Sequence, residues 1–179
     1  ATTIKVTGNA AYDSEDKDYS GTAGCKADVL FVMNGGALTI TNSGTGGKSI
    51  SGDGVGIFNG GTVRVTTTGS NYTAGDISAK AIKFDGNIAF SGANVVVSCT
   101  SHEGIESKGT ITITDGEVYS YSASDDAINA GGTFTISGGF VFAHAPANDG
   151  IDANGDCYIK GGVVYAIGST SPEVAIDAN

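Results

Sequence analysis

Two short acidic motifs in this sequence repeat the same order of side chains and together could bind a cation. The first, "DDAIN", contains Asp125, Asp126 and Asn129. The second, "NDGID", contains Asp149 and Asp152 at matching positions. Calcium takes about six to eight oxygen ligands from carboxylates, amides and backbone carbonyls in a flexible geometry. The two motifs therefore indicate a calcium site, provided that the fold brings them together.

Two glutamates precede these motifs by the same spacing that separates the motifs from each other. The number of residues from Glu103 to Asp126 equals the number from Asp126 to Asp149, and the same spacing separates Glu106 from Asn129. Asp177 continues the Glu106 series after a two-residue insertion. In a fold that repeats with this period, the carboxylates stack at roughly 5 Å and repel each other unless a cation or a raised pKa compensates. We expect calcium between adjacent turns of the repeat, with candidate ligands Asp125, Asp126, Asn129, Asp149, Asp152, Glu103 and Glu106.

A second interpretation of these motifs is purely structural. Aspartate and asparagine tolerate turn conformations and cap backbone amides, so they are common at the corners of repeat folds. Lys80 and Lys83 precede Glu103 and Glu106 by one further period, which predicts ion pairs of modest energy between these lysines and glutamates. The sequence leaves both interpretations open.

A repeat that positions these residues runs through most of the chain. The segments "TITITDGEVY", "TFTISGGFVF" and "DCYIKGGVVY" start at Thr110, Thr133 and Asp156, with equal spacing between successive starts. Less regular copies start at Leu30 and Val55. The leucine signature of leucine-rich repeats is missing, so the period favours a β-solenoid. The predicted fold is all-β, a right-handed single-stranded parallel β-helix with three short strands and about 23 residues per rung, a rung being one turn.

The interior of such a helix is predicted by columns of residues one rung apart. Alternate residues of a strand face inward, and equivalent residues of neighbouring rungs stack. Pairs of glycines recur at one corner, where a positive φ or close packing of rungs requires them. The apolar columns are Ile88, Ile111, Phe134 and Cys157; Phe90, Ile113, Ile136 and Ile159; Val95, Val118, Val141 and Val164; and Ile82, Ile105, Ile128, Ile151 and Ile176.

These columns predict a single domain over residues 1–179. Residues 1–29 contain no obvious copy of the repeat and are expected to form an atypical N-terminal rung or cap. Regular rungs are expected over residues 30–179, with an insertion near residues 69–78. The acidic segment "YDSEDKDY" in the first part lacks the pattern of a calcium-binding helix-loop-helix motif, and we expect it to be solvated, with cation binding as the alternative.

Aromatic side chains form a row on the outside of the predicted helix. The strand parity that turns the valine column inward turns Tyr119, Phe142 and Tyr165 outward in successive rungs. A row of exposed aromatic rings suits the apolar faces of sugar rings, and it equally suits a partner interface or a ladder that stabilises stacked strands. The candidate carbohydrate-binding residues are Tyr119, Tyr121, Phe142, His144, Tyr165 and Arg64.

The composition excludes several classes of partner. The formal net charge is −10 and Arg64 is the only arginine, whereas nucleic-acid binding needs a basic face. No stretch approaches the roughly 18 consecutive apolar residues of a membrane span. The three cysteines lack the spacing of a metal or redox site, so we expect mostly buried thiols.

The rung pattern resembles a known family. The segment "GIESKGTITITDGEVYSYSASDDAINAGGTFTISGG" at residues 104–139 and "NDGIDANG" at residues 148–155 are similar to the rungs of carbohydrate-binding β-helix proteins of bacterial cell surfaces, a family once described as a domain of unknown function. The resemblance covers residues 30–179. It implies a pectate-lyase-like shape, a secreted or surface-anchored location, bound calcium, and binding of polysaccharides that include acidic ones.

The residues and the resemblance together predict a non-catalytic, calcium-binding module for plant-type or acidic polysaccharides. A polysaccharide lyase is one alternative, but it needs an Arg or Lys base beside the calcium. Arg64 falls on another predicted face from the carboxylates, and ion pairing explains the lysines near them. The other alternative is a structural or adhesive surface stalk. The sequence does not predict the oligomeric state.

Overall fold

The strands of this protein follow the repeat, because each unit alternates β-branched residues with polar ones and turns at glycine. The computed structural model describes residues 1–179 without a gap. One short 3-10 helix lies at Thr73–Gly75. The strands are β1 (Thr2–Val6), β2 (Ala11–Asp13), β3 (Asp18–Ser20), β4 (Ala23–Ala27), β5 (Leu30–Met33), β6 (Ala37–Asn42), β7 (Lys48–Gly52), β8 (Val55–Phe58), β9 (Thr62–Thr67), β10 (Lys80–Phe84), β11 (Ile88–Cys99), β12 (Ile105–Ser107), β13 (Ile111–Ser122), β14 (Ile128–Ala130), β15 (Phe134–His144), β16 (Ile151–Ala153), β17 (Cys157–Ile167) and β18 (Ile176–Ala178).

Two parallel sheets run along the molecule, and successive rungs contribute strands to both. The long-strand sheet has the order β1-β6-β9-β11-β13-β15-β17, with β5 and β8 at its side. The short-strand sheet has the order β4-β7-β10-β12-β14-β16-β18. A separate antiparallel hairpin joins β2 and β3. The predicted all-β parallel solenoid is therefore confirmed, with about 6 turns of about 24 residues each.

Each rung has strand segments on three sides, but two of the segments fuse in later rungs. Strands β5 and β6 are separate, whereas β11, β13, β15 and β17 each continue through the glycine corner with an irregular register. The corner requires glycine. Gly139 has a φ of +78°, and a Cβ atom there would lie 2.7 Å from the carbonyl oxygen of Gly116.

The predicted columns form one continuous apolar core. The strand registers place the members of each column opposite one another in successive rungs. Ile111, Phe134 and Ile136 are wholly buried in a core cluster of 30 residues. Ile159 continues the column of Ile136 but is 56% exposed, because no rung of the chain covers it. Stacking of like residues buries the core in the way that solenoids require.

Residues 1–29 form a rung of their own, with an added hairpin. Strand β1 pairs in parallel with β6, and β4 pairs in parallel with β7. The acidic segment between them forms the β2–β3 hairpin, whose strand residues are all exposed, as expected for a solvated segment. The insertion after β9 packs against this hairpin, with the rings of Tyr19 and Tyr72 5.8 Å apart.

The cysteines lie in or beside the core, and the single 3-10 helix is short. All three cysteines are free thiols; Cys99 is wholly buried, while Cys25 and Cys157 are partly buried near the two ends of the core. No helix of the protein has the length and apolar character needed to cross a bilayer.

Candidate functional site

The predicted aromatic row exists and lies on the outer face of the long-strand sheet. Strands β13, β15 and β17 place Tyr119, Phe142 and Tyr165 in register, and Tyr121 lies in register with His144. Because these positions alternate with inward-facing residues, among them the buried Val118, Ser120 and Ser122 of β13 and Val141 and Ala143 of β15, the rings point away from the core. We call the aromatic surface the set Tyr119, Tyr121, Phe140, Phe142, His144 and Tyr165.

The rings of the aromatic surface contact one another across the strands. The centroid of Phe140 lies 5.3 Å from that of Tyr119 and 5.7 Å from that of Tyr165. The centroids of Tyr121 and His144 are 5.4 Å apart in an edge-on arrangement. These distances are within the range of favourable aromatic pairs. The surface is therefore a connected layer of rings, and Tyr165, 56% exposed, leaves the most area open to a ligand.

Phe140 was not among the candidate residues, although it links Tyr119 to Tyr165. The signal was present in the sequence, because Phe140 has the same strand parity as Phe142. Arg64 does share the predicted column, since it is in register with Val96, which is in register with Tyr119. It is exposed but separated from the aromatic rings by the valine, so it borders the aromatic surface on the side of the earlier rungs.

The acidic residues lie on the short-strand sheet, in two columns that change charge along the solenoid. The first column is defined by register and runs Lys83, Glu106, Asn129, Asp152 and Asp177. The second lies just before it in each rung and contains Lys80, Glu103, Asp126 and Asp149. The carboxylates of the second column are more than nine-tenths buried, which is rare for acidic residues without partners.

Lysines neutralise the glutamates. The ammonium of Lys80 lies 3.1 Å from the carboxylate of Glu103 and also contacts Glu106, whose other oxygen binds Lys108. Burial alone would raise the pKa of Glu106, but the contacts with Lys108 and Lys80 outweigh it and hold the pKa below its usual value. The predicted pairing of Lys83 with Glu106 is wrong. Both oxygens of Glu106 are already engaged, and Lys83 pairs with Asp85 instead.

His102 supplies a further cation beside the acidic columns. Its Nδ1 atom contacts the carboxylates of Glu103 and Asp125, the latter at 2.8 Å. Burial acts to lower the pKa of His102, but the hydrogen bonds to Asp125 and Glu103 raise it to about 9. His102 is therefore charged at neutral pH. Asn148 donates a second hydrogen bond to Asp125 at 2.7 Å, so this carboxylate is also compensated.

Four carboxylates at the other end of the columns have no cationic partner: Asp126, Asp149, Asp152 and Asp177. Oxygen atoms of Asp149, Asp152 and Asp177 lie within 4.8 Å of one another. Burial raises the pKa of Asp126 to about 7, and it also raises the pKa of Asp152, helped by the charges of Asp149 and Asp177. Asn129 donates to both Asp126 and Asp152 at 2.9 Å.

This end of the columns brings together carboxylate oxygens, a ligand type that calcium accepts. The groups that face one another are carboxylate oxygens, toward which Asn129 turns its amide nitrogen. No Lys, Arg or His nitrogen lies within 4.0 Å of the carboxylates Asp126, Asp149, Asp152 and Asp177. The sequence candidates are thus divided into two groups. Glu103, Glu106 and Asp125 face cationic side chains, whereas Asp126, Asp149 and Asp152, joined by Asp177, do not.

Comparison with known protein families shows the family to which the chain belongs. A family model described as "Carbohydrate-binding domain-containing protein" matches residues 30–146, about two thirds of the sequence. The chain belongs to this family. No significant match was found among curated proteins or solved structures.

The family match covers much of the site in this carbohydrate-binding domain-containing protein. It includes Arg64, Tyr119 and Phe142 of the outer face and Asp126 of the acidic columns. The solenoid continues beyond residue 146 with the same register, and these later rungs add Tyr165 to the aromatic surface. The family assignment confirms the resemblance read from the rungs and supports a polysaccharide as the partner.

Proposed function

We propose that this member of the carbohydrate-binding family is a non-catalytic, calcium-binding module for plant-type or acidic polysaccharides, secreted by or displayed on a bacterial cell. The observation that carries the proposal is the aromatic surface. A layer of connected, partly exposed rings on a rigid sheet offers a preformed platform for the apolar faces of sugar rings. Polar side chains at its border can hydrogen-bond sugar hydroxyls: Arg64, and Glu117 of β13, which is exposed and lies in register with Phe140.

The placement of charged groups favours binding over catalysis. A lyase needs a base beside the cation that acidifies its substrate. Arg64 lies on the long-strand sheet, whereas the acidic columns lie on the short-strand sheet. The lysines nearest the acids, Lys80 and Lys108, are engaged in ion pairs with glutamates. These contacts support a binding module.

The aromatic surface is tested by a double substitution. We expect Tyr119→Ala with Tyr165→Ala to weaken retention on insoluble polysaccharide by about tenfold, since each ring contributes roughly 0.5–1.5 kcal/mol of stacking beyond its buried area. The measurement is a depletion isotherm on the insoluble polysaccharide. Tyr158→Ala is the control, because Tyr158 is 43% exposed but lies on a neighbouring facet. Unchanged retention of a folded double variant would remove the aromatic surface from the account.

We place the proposed calcium at the end of the acidic columns that lacks a cationic partner. Asp126, Asp149, Asp152 and Asp177 would hold it. Asn129 would add its side-chain carbonyl only after its amide turns over, because its nitrogen donates to Asp126 and Asp152. When bound there, calcium neutralises the buried carboxylates and ties adjacent rungs together. The raised pKa of Asp126 supports this position, because burial without a counter-charge leaves its carboxylate short of positive charge.

Calcium binding is expected to be stronger at about pH 8 than at about pH 5.5. Asp126, with a pKa of about 7, holds a proton at the lower pH and must release it to become a ligand. Titration calorimetry at both pH values measures this, and millimolar calcium should also raise the melting temperature. The double variant Asp149→Asn with Asp152→Asn should abolish the heat of calcium binding. The control, Asp13→Asn with Asp16→Asn, makes the same charge change in the exposed hairpin and should leave that heat unchanged. Absence of heat from the unmodified protein at millimolar calcium would refute the site.

A further inference from the structure

The short-strand sheet is basic where its columns begin. Lys26 of β4 is in register with Ser51 of β7, and Ser51 is in register with Lys83 of β10. Lys48 starts β7 and is in register with Lys80. The columns that end in carboxylates therefore begin in lysines, although the chain as a whole carries a net charge of −10. Positive charge is concentrated in the first three rungs of this sheet.

A cavity of about 200 Å³ opens at this basic end. Its floor is the short-strand sheet, and its wall is the end of the β2–β3 hairpin together with Ile77 of the insertion after β9. The ammonium-bearing side chains that line it are Lys26, Lys48 and Lys83. The cavity is smaller than the roughly 300–1,000 Å³ of pockets for drug-sized ligands, so it suits one substituted sugar unit rather than a chain segment.

Lys48 has no anionic partner in this cavity. No carboxylate oxygen lies within 4.0 Å of its ammonium, whereas Lys83 pairs with Asp85 and Lys26 with Asp28. Burial, and next the positive charges of Lys83 and Lys80, lower the pKa of Lys48. An anion placed among these lysines would relieve that repulsion. The half-buried, unpaired ammonium of Lys48 can therefore donate hydrogen bonds to a negatively charged group.

We propose that this cavity is a second saccharide site, in which Lys26, Lys48 and Lys83 bind the acid group, a carboxylate or sulfate ester, of an acidic sugar unit. This proposal rests on the proposed function, which makes the ligand a saccharide. It adds that the saccharide carries an acid group and that this group binds in the cavity. It predicts that acidic and neutral sugars use different faces, since the cavity is on the short-strand sheet and the aromatic surface is on the long-strand sheet.

The rest of the lining fits a sugar. The hydroxyls of Ser20, Thr22 and Ser51 can exchange hydrogen bonds with sugar hydroxyls, and the ring of Tyr19 offers an apolar wall. Asp53 also lines the cavity, so its net charge is modest. Because Lys26 and Lys83 already pair with Asp28 and Asp85, the one unpaired ammonium, that of Lys48, suits a singly charged group. The acidic rungs further along the sheet would repel a long polyanion.

The test is calorimetric titration of the unmodified protein with three soluble probes in the presence of chelator: a galacturonate oligomer, a sulfated saccharide and a neutral glucose oligomer. We expect binding of an acidic probe without calcium. Lys26→Gln with Lys48→Gln should weaken it by about tenfold or more, because hydrogen bonds to charged groups are lost. The two acidic probes show whether carboxylate or sulfate is preferred.

The control variant carries Lys5→Gln and Lys160→Gln, which remove the same charge from exposed positions outside the cavity. Equal weakening by both variants would reduce the effect to net charge and overturn the proposal. The proposal would also be overturned if neither acidic probe bound while the protein was still retained on neutral insoluble polysaccharide. That result would leave the proposed function intact. A protein that binds no saccharide of any kind would contradict the proposed function itself.

Discussion

The Lys80→Met variant is expected to unfold with a free energy about 3–5 kcal/mol lower than that of the unmodified protein at neutral pH. Lys80 is the cation between two buried glutamates, and the side chains of Glu103 and Glu106 are only 8% and 1% exposed. Removing it leaves Glu103 with His102 alone and Glu106 with Lys108 alone. Chemical denaturation followed by circular dichroism measures the change.

The loss in the Lys80→Met variant should shrink in acid. The pKa of folded Glu106 lies below the value of about 4.5 that applies when the chain is unfolded, so its contribution to stability is present above that value and is lost as the pH falls. Lys5→Met, on an exposed lysine of β1, is the control and should change the free energy of unfolding by less than about 0.5 kcal/mol. A similar small loss for Lys80→Met would show that the buried ion pairs do not stabilise the solenoid.

Phe134→Ala and Phe142→Ala provide a matched pair, because the same atoms are deleted from opposite faces of β15. Phe134 is wholly buried between Ile111 and Cys157 of the neighbouring rungs, so its loss leaves a cavity and should cost about 3–5 kcal/mol. Phe142 faces outward and is only half-buried. Its loss should cost about 1 kcal/mol and should weaken retention on polysaccharide.

Urea unfolding of both phenylalanine variants separates the two roles. We expect a clearly larger loss of stability for Phe134→Ala than for Phe142→Ala, because only Phe134 is enclosed in the core. Equal losses would mean that the outer aromatic ring is as much a part of the structural framework as the inner one. The aromatic surface would then be a ladder that stabilises the strands, the alternative that the sequence also allows.

The columns of the solenoid could be read from the sequence because stacking repeats the same local environment in every rung. Once Ile105 and Ile128 were aligned as equivalent positions, the place of Glu106 above Lys83 and below Asn129 followed from strand register alone. The outward direction of Tyr119 followed in the same way from its buried neighbour Val118. Register and parity are backbone properties, and the sequence pattern determines both.

The choice of partners within the columns could not be read from the sequence. Lys83 has Glu106 beside it in the next rung yet binds Asp85, because Lys80 and Lys108 compete for the same carboxylate. Such competition depends on side-chain conformations rather than on register. Only the structure therefore divides the acidic residues into those with cationic partners and those without.

The first rung could not be recognised in the sequence because an inserted hairpin hides its period. The β2–β3 hairpin separates β1 from β4, so the spacing between them differs from that of later rungs. As a result, Lys26 could not be assigned to the column of Ser51 and Lys83. The basic end of the short-strand sheet, and the cavity that it forms with the hairpin, are visible only when this rung is in place.

The measurement that tests the central claim most directly is co-sedimentation of the unmodified protein with a panel of insoluble neutral and acidic polysaccharides, with calcium and with chelator. We expect retention on at least one polysaccharide, and we expect calcium to strengthen it, because the proposed ion would tie together the rungs that carry Asp149 and Tyr165. A folded protein that stays in the supernatant with every polysaccharide, under both conditions, would contradict it.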